Sequence, residues 1–308
     1  MRSLLFLRSL RVAFAASALF ASSARAELNV VATMPDLGAL AEAVGAGKFK
    51  VTSLTRPTED AHFVDAKPSF IRVLNKADAL IEGGAELEIG WLPPLVQGAR
   101  NRKIVTGGDG LINAAEGLTL LGVATGPIDR SQGDVHGKGN PHYLLDPVRA
   151  GQVAAHLADA FAKLEPASAE AFAAANREFQ AALTKKVEAW TKSLAPYRGA
   201  KVVTYHKSFD YLLDRFGLVL AGTIEPKPGI EPSPTHITAL IPRIKEQGVR
   251  LILIEDHRPA KTPRYVAEQA GARLVVLPHF PGGHKTAETY LEWMDHLIAE
   301  LAAGLKQP

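Results

Sequence analysis

The chain has 308 residues and no cysteine, which excludes disulfide bonds, thiolate metal ligands, a cysteine nucleophile and a lipid-modified cysteine. Four of its 35 lysine and arginine residues lie within the first 26 residues, where there is no acid; the remaining chain therefore has 31 basic against 32 acidic residues and a net charge of −1. This balance excludes the basic surface by which proteins bind nucleic acids or acidic lipids.

The first 26 residues have the three parts of a secretory signal peptide. Three arginines between positions 2 and 11 precede the apolar run Val12–Phe20, and Ala24-Arg25-Ala26 gives the small-x-small pattern before a cleavage site. The mature chain is therefore predicted to begin at Glu27. The apolar run is too short to cross a bilayer, and no later apolar stretch of about 20 residues follows, so we expect no membrane anchor. Export without an anchor predicts a location in the periplasm.

Short β-branched runs then alternate with amphipathic segments, and this alternation predicts a parallel sheet flanked by helices. The predicted strands are Leu28–Thr33, Phe49–Thr55, Asp78–Glu82 and Lys103–Val105, and the predicted helices lie near Leu37–Val44, Pro68–Lys76 and Glu88–Gln97. A polar, glycine-rich loop, Gly126–Asn140, follows and contains His136. A loop of this length without periodicity is usually functional or disordered.

A long helix is predicted in the middle of the chain, after the helix Pro147–Leu164. It runs from about Ser168 to Ser193, because apolar residues recur there at helical spacing as one stripe. Pro196 and Gly199 end it, and it is too short for a coiled coil to be the better interpretation. We expect it to be a rigid connection between two lobes.

The strand pattern restarts beyond this helix, at Lys201–Tyr205, Val219–Ile224, Leu251–Glu255 and Leu274–Leu277. The predicted fold class is therefore α/β, with two similar lobes whose parallel-type sheets are flanked by helices, joined by one long rigid helix. The predicted organisation is a signal peptide (1–26), an N-terminal lobe (27–165), a linking helix (166–195) and a C-terminal lobe (196–308).

Three of the ten histidines, His62, His142 and His206, lie where the chain leaves a strand or enters a helix. Ligands of open α/β sheets bind beyond the carboxyl ends of the strands, and neutral imidazole is the commonest biological metal ligand. The spacings of 80 and 64 residues match no local zinc-finger pattern, so the site must be assembled across the fold. A metal held there would clamp the two lobes together. By contrast, His156 and His296 lie within predicted helices and are interpreted as structural or surface residues, whereas His257 follows a strand and could approach the cleft.

Several segments together resemble the cluster A-I, TroA/ZnuA-like solute-binding subunits of ABC importers for zinc and manganese. The resemblance covers essentially the whole mature chain. The set of motifs is specific in combination, although no single motif is. It rests on His62 with Lys67-Pro68-Ser69, on Gly84–Leu92, on Pro141-His142-Tyr143-Leu144-Leu145-Asp146-Pro147, on Tyr205–Tyr211 and on Thr289–Met294. It implies that His62, His142 and His206 bind a metal that is passed to an ABC permease, with a periplasmic metallochaperone as an optional partner and a monomer as the expected state.

The chain departs from this family at three places. Leu144 replaces a tryptophan, only His136 remains where zinc-specific members have a histidine-rich loop, and His279 stands where the family often supplies an aspartate as fourth ligand. His279 is the predicted fourth ligand, with water, Glu255, Asp256 or Glu231 as open alternatives. Imidazole-rich sites favour Zn²⁺ over Mn²⁺, which prefers carboxylate oxygens. The alternative function is an exported zinc hydrolase that uses a water bound to the same three histidines.

Overall fold

A computed structural model of the chain describes residues 27–127, 133 and 135–306. The predicted signal peptide and its cleavage site lie outside the described residues, as do six positions of the loop Gly126–Asn140. None of the helices within the described ranges is both long and apolar enough to cross a membrane.

The described strands form two four-stranded sheets in which all neighbouring strands are parallel. The first sheet contains β1 (Leu28–Ala32), β2 (Phe49–Ser53), β3 (Ala79–Glu82) and β4 (Leu111–Asn113), and the second contains β5 (Lys201–Thr204), β6 (Val219–Thr223), β7 (Leu251–Glu255) and β8 (Arg273–Leu277). The strand orders, β2-β1-β3-β4 and β6-β5-β7-β8, are the same in both sheets. The prediction of two similar α/β lobes is therefore confirmed.

Helices connect and cover these strands, as parallel pairing requires. They are α1 (Pro35–Val44), α2 (Pro68–Lys76), α3 (Leu92–Ala99), α4 (Pro147–Leu164), α5 (Ala169–Leu194), α6 (Asp210–Phe216), α7 (Pro234–Glu246), α8 (Lys261–Ala270) and α9 (Tyr290–Leu305). Local signals explain several starts: proline occupies the first turn of α1, α2, α4 and α7, and a side-chain cap precedes α4, α7 and α9.

The predicted strand Lys103–Val105 is wrong. Arg102–Ile104 form a short 3₁₀ helix, and Val105 is its C-cap, because the Asn101 side chain accepts the backbone N–H of Lys103 at 3.1 Å and Ile104 is fully buried. The fourth strand comes later, at Leu111–Asn113, where it pairs with β3. Three residues at a sheet edge are too few to show the alternation from which strands are recognised.

The helix predicted over Glu88–Gln97 begins four residues later than expected. The Glu88 carboxylate is turned inward, where it accepts the hydroxyl of Thr33 at 2.6 Å and the backbone N–H groups of Gly83 at 2.6 Å and Gly84 at 3.2 Å. This segment therefore binds the end of β3, and α3 starts at Leu92, just before two prolines that suit a first helical turn.

The linking helix α5 is present as predicted, and its stripe is buried at Phe172, Phe179, Leu183, Trp190 and Leu194. It packs along α4, and it also contacts α1 of the first lobe and α9 at the C-terminal end of the chain. One continuous cluster of buried side chains consequently reaches from Val30 in the first sheet to Leu251 in the second. A large apolar contact of this kind resists free swinging of the lobes. The boundaries 27–165, 166–195 and 196–308 stay a prediction.

Candidate metal centre

His62 lies in the loop between β2 and α2, and a neighbouring carboxylate orients its ring. Asp60 Oδ1 accepts the backbone N–H of His62 at 3.0 Å and lies 2.8 Å from the ring Nδ1. The buried Nε2 has no hydrogen-bond partner and is left to face the cleft. Asp60 Oδ2 also lies 3.1 Å from Arg258 Nη2, on the second lobe. Burial raises the pKa of Asp60, but the hydrogen bond and charge of His62, together with Arg258, hold it well below its usual value.

His142 enters the cleft from the loop before α4. Asn140 Oδ1 accepts its backbone N–H at 2.9 Å, and the ring is buried with an unpartnered Nε2. Burial, reinforced by the other histidines, lowers the pKa of His142 well below 6.5, so the ring is neutral at pH 7. Asp146 of the same motif has a different task, because it caps α4 at Val148 N (3.0 Å) and binds Arg215 Nε and Nη2 at 2.6 and 2.7 Å.

His206 follows β5, on the second lobe, and is 5% exposed. Its Nδ1 contacts Glu225 Oε1, and Glu225 follows β6, the parallel neighbour of β5. Burial and the nearby His62 lower the pKa of His206 to about 4. Burial also raises the pKa of Glu225 to about 7. As at His62, a carboxylate occupies Nδ1 and leaves Nε2 as the nitrogen that can bind a metal.

The three predicted histidines converge. One ring nitrogen from each of His62, His142 and His206 lies within 4.8 Å of the corresponding nitrogens of the other two, and the ring centroids are 5.2 to 5.3 Å apart. Two of these nitrogens come from the first lobe and one from the second. Three imidazoles whose free nitrogens face one another offer the donor set that a transition metal prefers.

His279 lies beside this cluster. Its ring is buried, 5.6 Å from His142 and 5.1 Å from His257 between centroids, and its Nδ1 has no hydrogen-bond partner. It is not one of the three residues whose ligand atoms all lie within 4.8 Å of one another. Burial, with His257 as the next cause, lowers its pKa well below 6.5.

The three acidic residues that were alternatives for the fourth ligand are hydrogen-bonded elsewhere or exposed. Glu255 accepts the Ser208 hydroxyl, and Asp256 Oδ1 accepts the backbone N–H of His279 at 3.2 Å. Glu231 is exposed. On the other side of the cluster, the His136 ring lies 5.2 Å from His62. A cavity of about 140 Å³, lined in part by His136, His142 and His206, adjoins the centre there.

Sequence reasoning missed the residues that orient the candidate ligands. Asp60 is two residues before His62, so the spacing Asp-x-His was a usable signal for a carboxylate bound to Nδ1. Glu225 could be found only from the strand order, because β5 and β6 are adjacent in the sheet and their carboxyl ends meet at one edge. Arg258 gives no local signal at all, since it joins Asp60 across the two lobes.

Comparison with known proteins supports this architecture. Residues 30–304 match the family model of ZnuA, described as zinc-uptake complex component A, periplasmic. The zinc-binding lipoprotein AdcA of Streptococcus pneumoniae strain TIGR4 is 25% identical over 307 residues, which cover 96% of this chain but only 60% of AdcA. The high-affinity zinc uptake system protein ZnuA of Yersinia pestis is 25% identical over 293 residues, 91% of this chain and 92% of that protein.

Solved structures show the same fold. A crystal structure of ZnuA has a TM-score of 0.75 and 21% identity, and covers 91% of this chain and 100% of its own. A mutant of the laminin-binding adhesin Lmb of Streptococcus agalactiae has a TM-score of 0.72 and 25% identity over 91% of this chain and 100% of its own. The match to the family model extends over nearly all of the described residues, and the chain therefore belongs to the ZnuA family of periplasmic zinc-uptake components.

Proposed function

We propose that this protein captures Zn²⁺ between its two lobes in the periplasm and delivers it to the permease of an ABC importer. The observation that carries the proposal is the convergence of His62, His142 and His206, whose ligand nitrogens lie within 4.8 Å of one another. The zinc-binding names of the AdcA and ZnuA relatives support the same cargo.

The donor chemistry favours Zn²⁺ over Mn²⁺. Imidazole suits zinc, whereas Mn²⁺ is the ion that carboxylate and water oxygens suit. The two carboxylates nearest the cluster, Asp60 and Glu225, are engaged with the Nδ1 atoms of His62 and His206. They therefore strengthen the imidazoles as donors and do not act as hard oxygen ligands themselves.

We further propose that His279 completes the coordination sphere. Its buried Nδ1 lacks a partner, and its ring is adjacent to His142. The preceding residue is held in place, since Trp293 Nε1 donates to Pro278 O at 2.9 Å. A zinc-bound crystal structure tests this: a His279 nitrogen is expected about 2.0–2.1 Å from the metal. A ring that points away, with water in the fourth position, would remove His279 from the site.

Delivery in the periplasm requires export and a membrane partner. We infer that the signal peptide is cleaved after Ala26, that the mature chain acts as a monomer, and that a periplasmic metallochaperone is an optional source of the metal. Mass spectrometry of the exported protein should give a chain that begins at Glu27. Loss of growth under zinc limitation on deletion of the gene, restored by added zinc, is the expected cellular result.

The zinc hydrolase alternative has less support. A catalytic zinc site needs a general base beside the metal-bound water. Asp60 is held by both His62 and Arg258, and Glu225 by His206 and the backbone N–H of Gly229 at 3.3 Å. Neither carboxylate is placed to activate a water in front of the metal.

A chelator competition experiment tests the proposed function. Tag-free protein is expected to bind Zn²⁺ in the cleft far more tightly than Mn²⁺, and His206→Ala should lose this tight binding. His156→Ala is the matched control, because His156 lies on α4 and is partly buried. Tighter binding of Mn²⁺, or unchanged zinc affinity in His206→Ala, would contradict the proposal.

A further inference from the structure

We propose a second divalent metal site on the surface of the C-terminal lobe, formed by His284, His296 and Glu300. His284 lies in the loop between β8 and α9, and the other two residues lie on α9. None of the three belongs to the cleft site, so the inference stands independently of the proposed zinc delivery.

The two histidine rings already form a pair. Their centroids are 4.4 Å apart, and the ring planes are nearly parallel, at 14°. His284 is exposed and His296 is partly buried, so one ring can move while the other is held by its helix. Two nitrogens bound to one tetrahedral zinc lie about 3.3 Å apart, as follows from zinc–nitrogen distances of 2.0–2.1 Å. The ligand atoms of His284, His296 and Glu300 do not all lie within 4.8 Å of one another, so the exposed His284 ring has to rotate out of the stacked arrangement for both rings to bind one ion.

Contacts with Thr286 orient the His284 ring. Its Nδ1 lies 3.0 Å from Thr286 Oγ1 and accepts the backbone N–H of Thr286 at 3.4 Å. Nδ1 therefore holds the lone pair, and Nε2 carries the proton of the neutral ring. Binding of a metal through Nε2 requires that this proton be given up or moved to Nδ1, which can then donate to the Thr286 hydroxyl.

The spacing on α9 adds a third donor. His296 and Glu300 are four residues apart and so lie on the same face of the helix, as do the two histidines of a helical zinc motif. Burial and the adjacent His284 lower the pKa of His296, against the opposing charge of Glu300, so its ring is neutral at pH 7. The neighbouring acid Asp295 is engaged elsewhere, since its Oδ1 accepts Trp190 Nε1 at 2.9 Å.

The scaffold that carries these donors is well anchored. Thr289 and Glu292 form a capping box at the start of α9, with the backbone N–H of Thr289 donating to Glu292 at 3.0 Å. Within the loop, Gly282 N donates to Ala287 O at 2.7 Å. Two imidazoles, a carboxylate and solvent water make a donor set for a borderline ion such as Zn²⁺. The ion is expected to bind more weakly than in the cleft, because fewer imidazoles hold it and the site is exposed.

Calorimetric titration with ZnCl₂ tests the site. Tag-free protein loaded with one equivalent of Zn²⁺ should bind one further, weaker equivalent. His284→Ala and His296→Ala should each weaken that second event by more than about tenfold, the lower limit for losing even an outer-shell partner of a metal. Glu300→Gln should weaken it less. Tight binding of the first equivalent should be unchanged in all three variants, and His156→Ala should leave both events unchanged.

Three results would overturn the inference. The first is the absence of a second event in the wild-type protein, and the second is an unchanged second event in His284→Ala and His296→Ala. The third is its loss in His136→Ala alone, which would assign it to the cleft side of the molecule. His284 is exposed, so His284→Ala decides the matter even if His296→Ala fails to fold. Failure of the proposed cleft function would show instead in the first equivalent, through His206→Ala.

Discussion

Replacement of Glu225 by glutamine should weaken zinc binding even though Glu225 is not a proposed ligand. Its carboxylate contacts Nδ1 of His206, and its residue is 2% exposed, so the contact is shielded from water. An ionised carboxylate on Nδ1 holds the ring in place and makes the opposite nitrogen a stronger donor. Glutamine keeps the size and one acceptor oxygen but has no charge, and the substitution therefore removes mainly the electrostatic part of the contact.

The expected loss depends on pH. Outer-shell partners of metal-bound histidines contribute about 10- to 100-fold in affinity, or about 1.4–2.7 kcal/mol. Burial raises the pKa of Glu225 to about 7, so at pH 8 the carboxylate is ionised before the metal arrives and the full loss should appear. At pH 6 the metal must first displace a proton from this carboxyl group. That costs about 1.4 kcal/mol for one pH unit, so the advantage of glutamate over glutamine should shrink by about tenfold.

Competition against a zinc chelator of known affinity at pH 8 and pH 6 measures both numbers. Glu82→Gln is the control, since Glu82 is also a partly buried carboxylate with a pKa raised by burial, but it bonds Asn113 in the first lobe. If Glu225→Gln binds zinc as the wild type does, the carboxylate does not act on His206. An equal loss at both pH values would assign its role to packing.

Three further predictions concern protons, the junction of the lobes and metal entry. Zinc affinity should fall by about tenfold between pH 7 and pH 6, as Glu225 is protonated, and more steeply as the pH approaches the pKa of His206, about 4. Chelator competition from pH 8 to pH 4 checks this, and a single steep fall centred on pH 6.5 would contradict it. In the metal-free protein, His206 takes up a proton near pH 6.5 when the chain is unfolded but only near pH 4 when it is folded. Lowering the pH from 6.5 to 4 should therefore reduce the free energy of unfolding by roughly 3 kcal/mol. Asp146→Asn should lower the free energy of unfolding, measured in urea, by about 2–3 kcal/mol, which is less than for a fully buried ion pair because Arg215 is a third exposed. Asp159→Asn, at an exposed position, is the control and should have little effect. Equal losses in the two variants would show that the ion pair of Asp146 does not stabilise the fold. His136→Ala should slow zinc loading in stopped-flow measurements without changing the equilibrium affinity, because His136 lines the cavity beside the centre; equal loading rates would make the loop Gly126–Asn140 a passive one.

Much of the fold follows from local sequence signals. The buried strand β7, for example, is a run of Leu and Ile residues, and α5 shows one apolar stripe over its whole length. Both patterns arise because the strand or helix is buried along its whole length, so that every turn or residue pair carries the same signal. The edge strand β4 has three residues, and its position depends on its partner β3 and not on its own composition. Such an element cannot be found without the rest of the sheet.

In the candidate site, too, some residues could be predicted from local sequence and others could not. His62, His142 and His206 could be selected because each lies at a boundary between elements, where parallel sheets bind ligands. The start of α3 was misplaced because Glu88 fits a helical pattern, yet its carboxylate is needed by backbone N–H groups at the end of β3. Contacts between distant segments, such as Arg258 with Asp60, depend on how the two lobes pack and leave no mark in the sequence near either residue.

The distribution of the proposed ligands between the lobes indicates a route by which a bound ion would leave. His62 and His142 come from the first lobe, and His206 comes from the second. A movement that separates His206 from the other two rings would therefore leave the ion with two imidazoles instead of three. The shared core along α5 opposes a wide opening of the lobes. A local shift of the second lobe at the cleft would affect His62 as well as His206, because Arg258 of the second lobe binds Asp60, which orients His62. A partner that draws Arg258 away from Asp60 would therefore weaken a ligand of the first lobe together with the contribution of the second, without breaking the hydrophobic core.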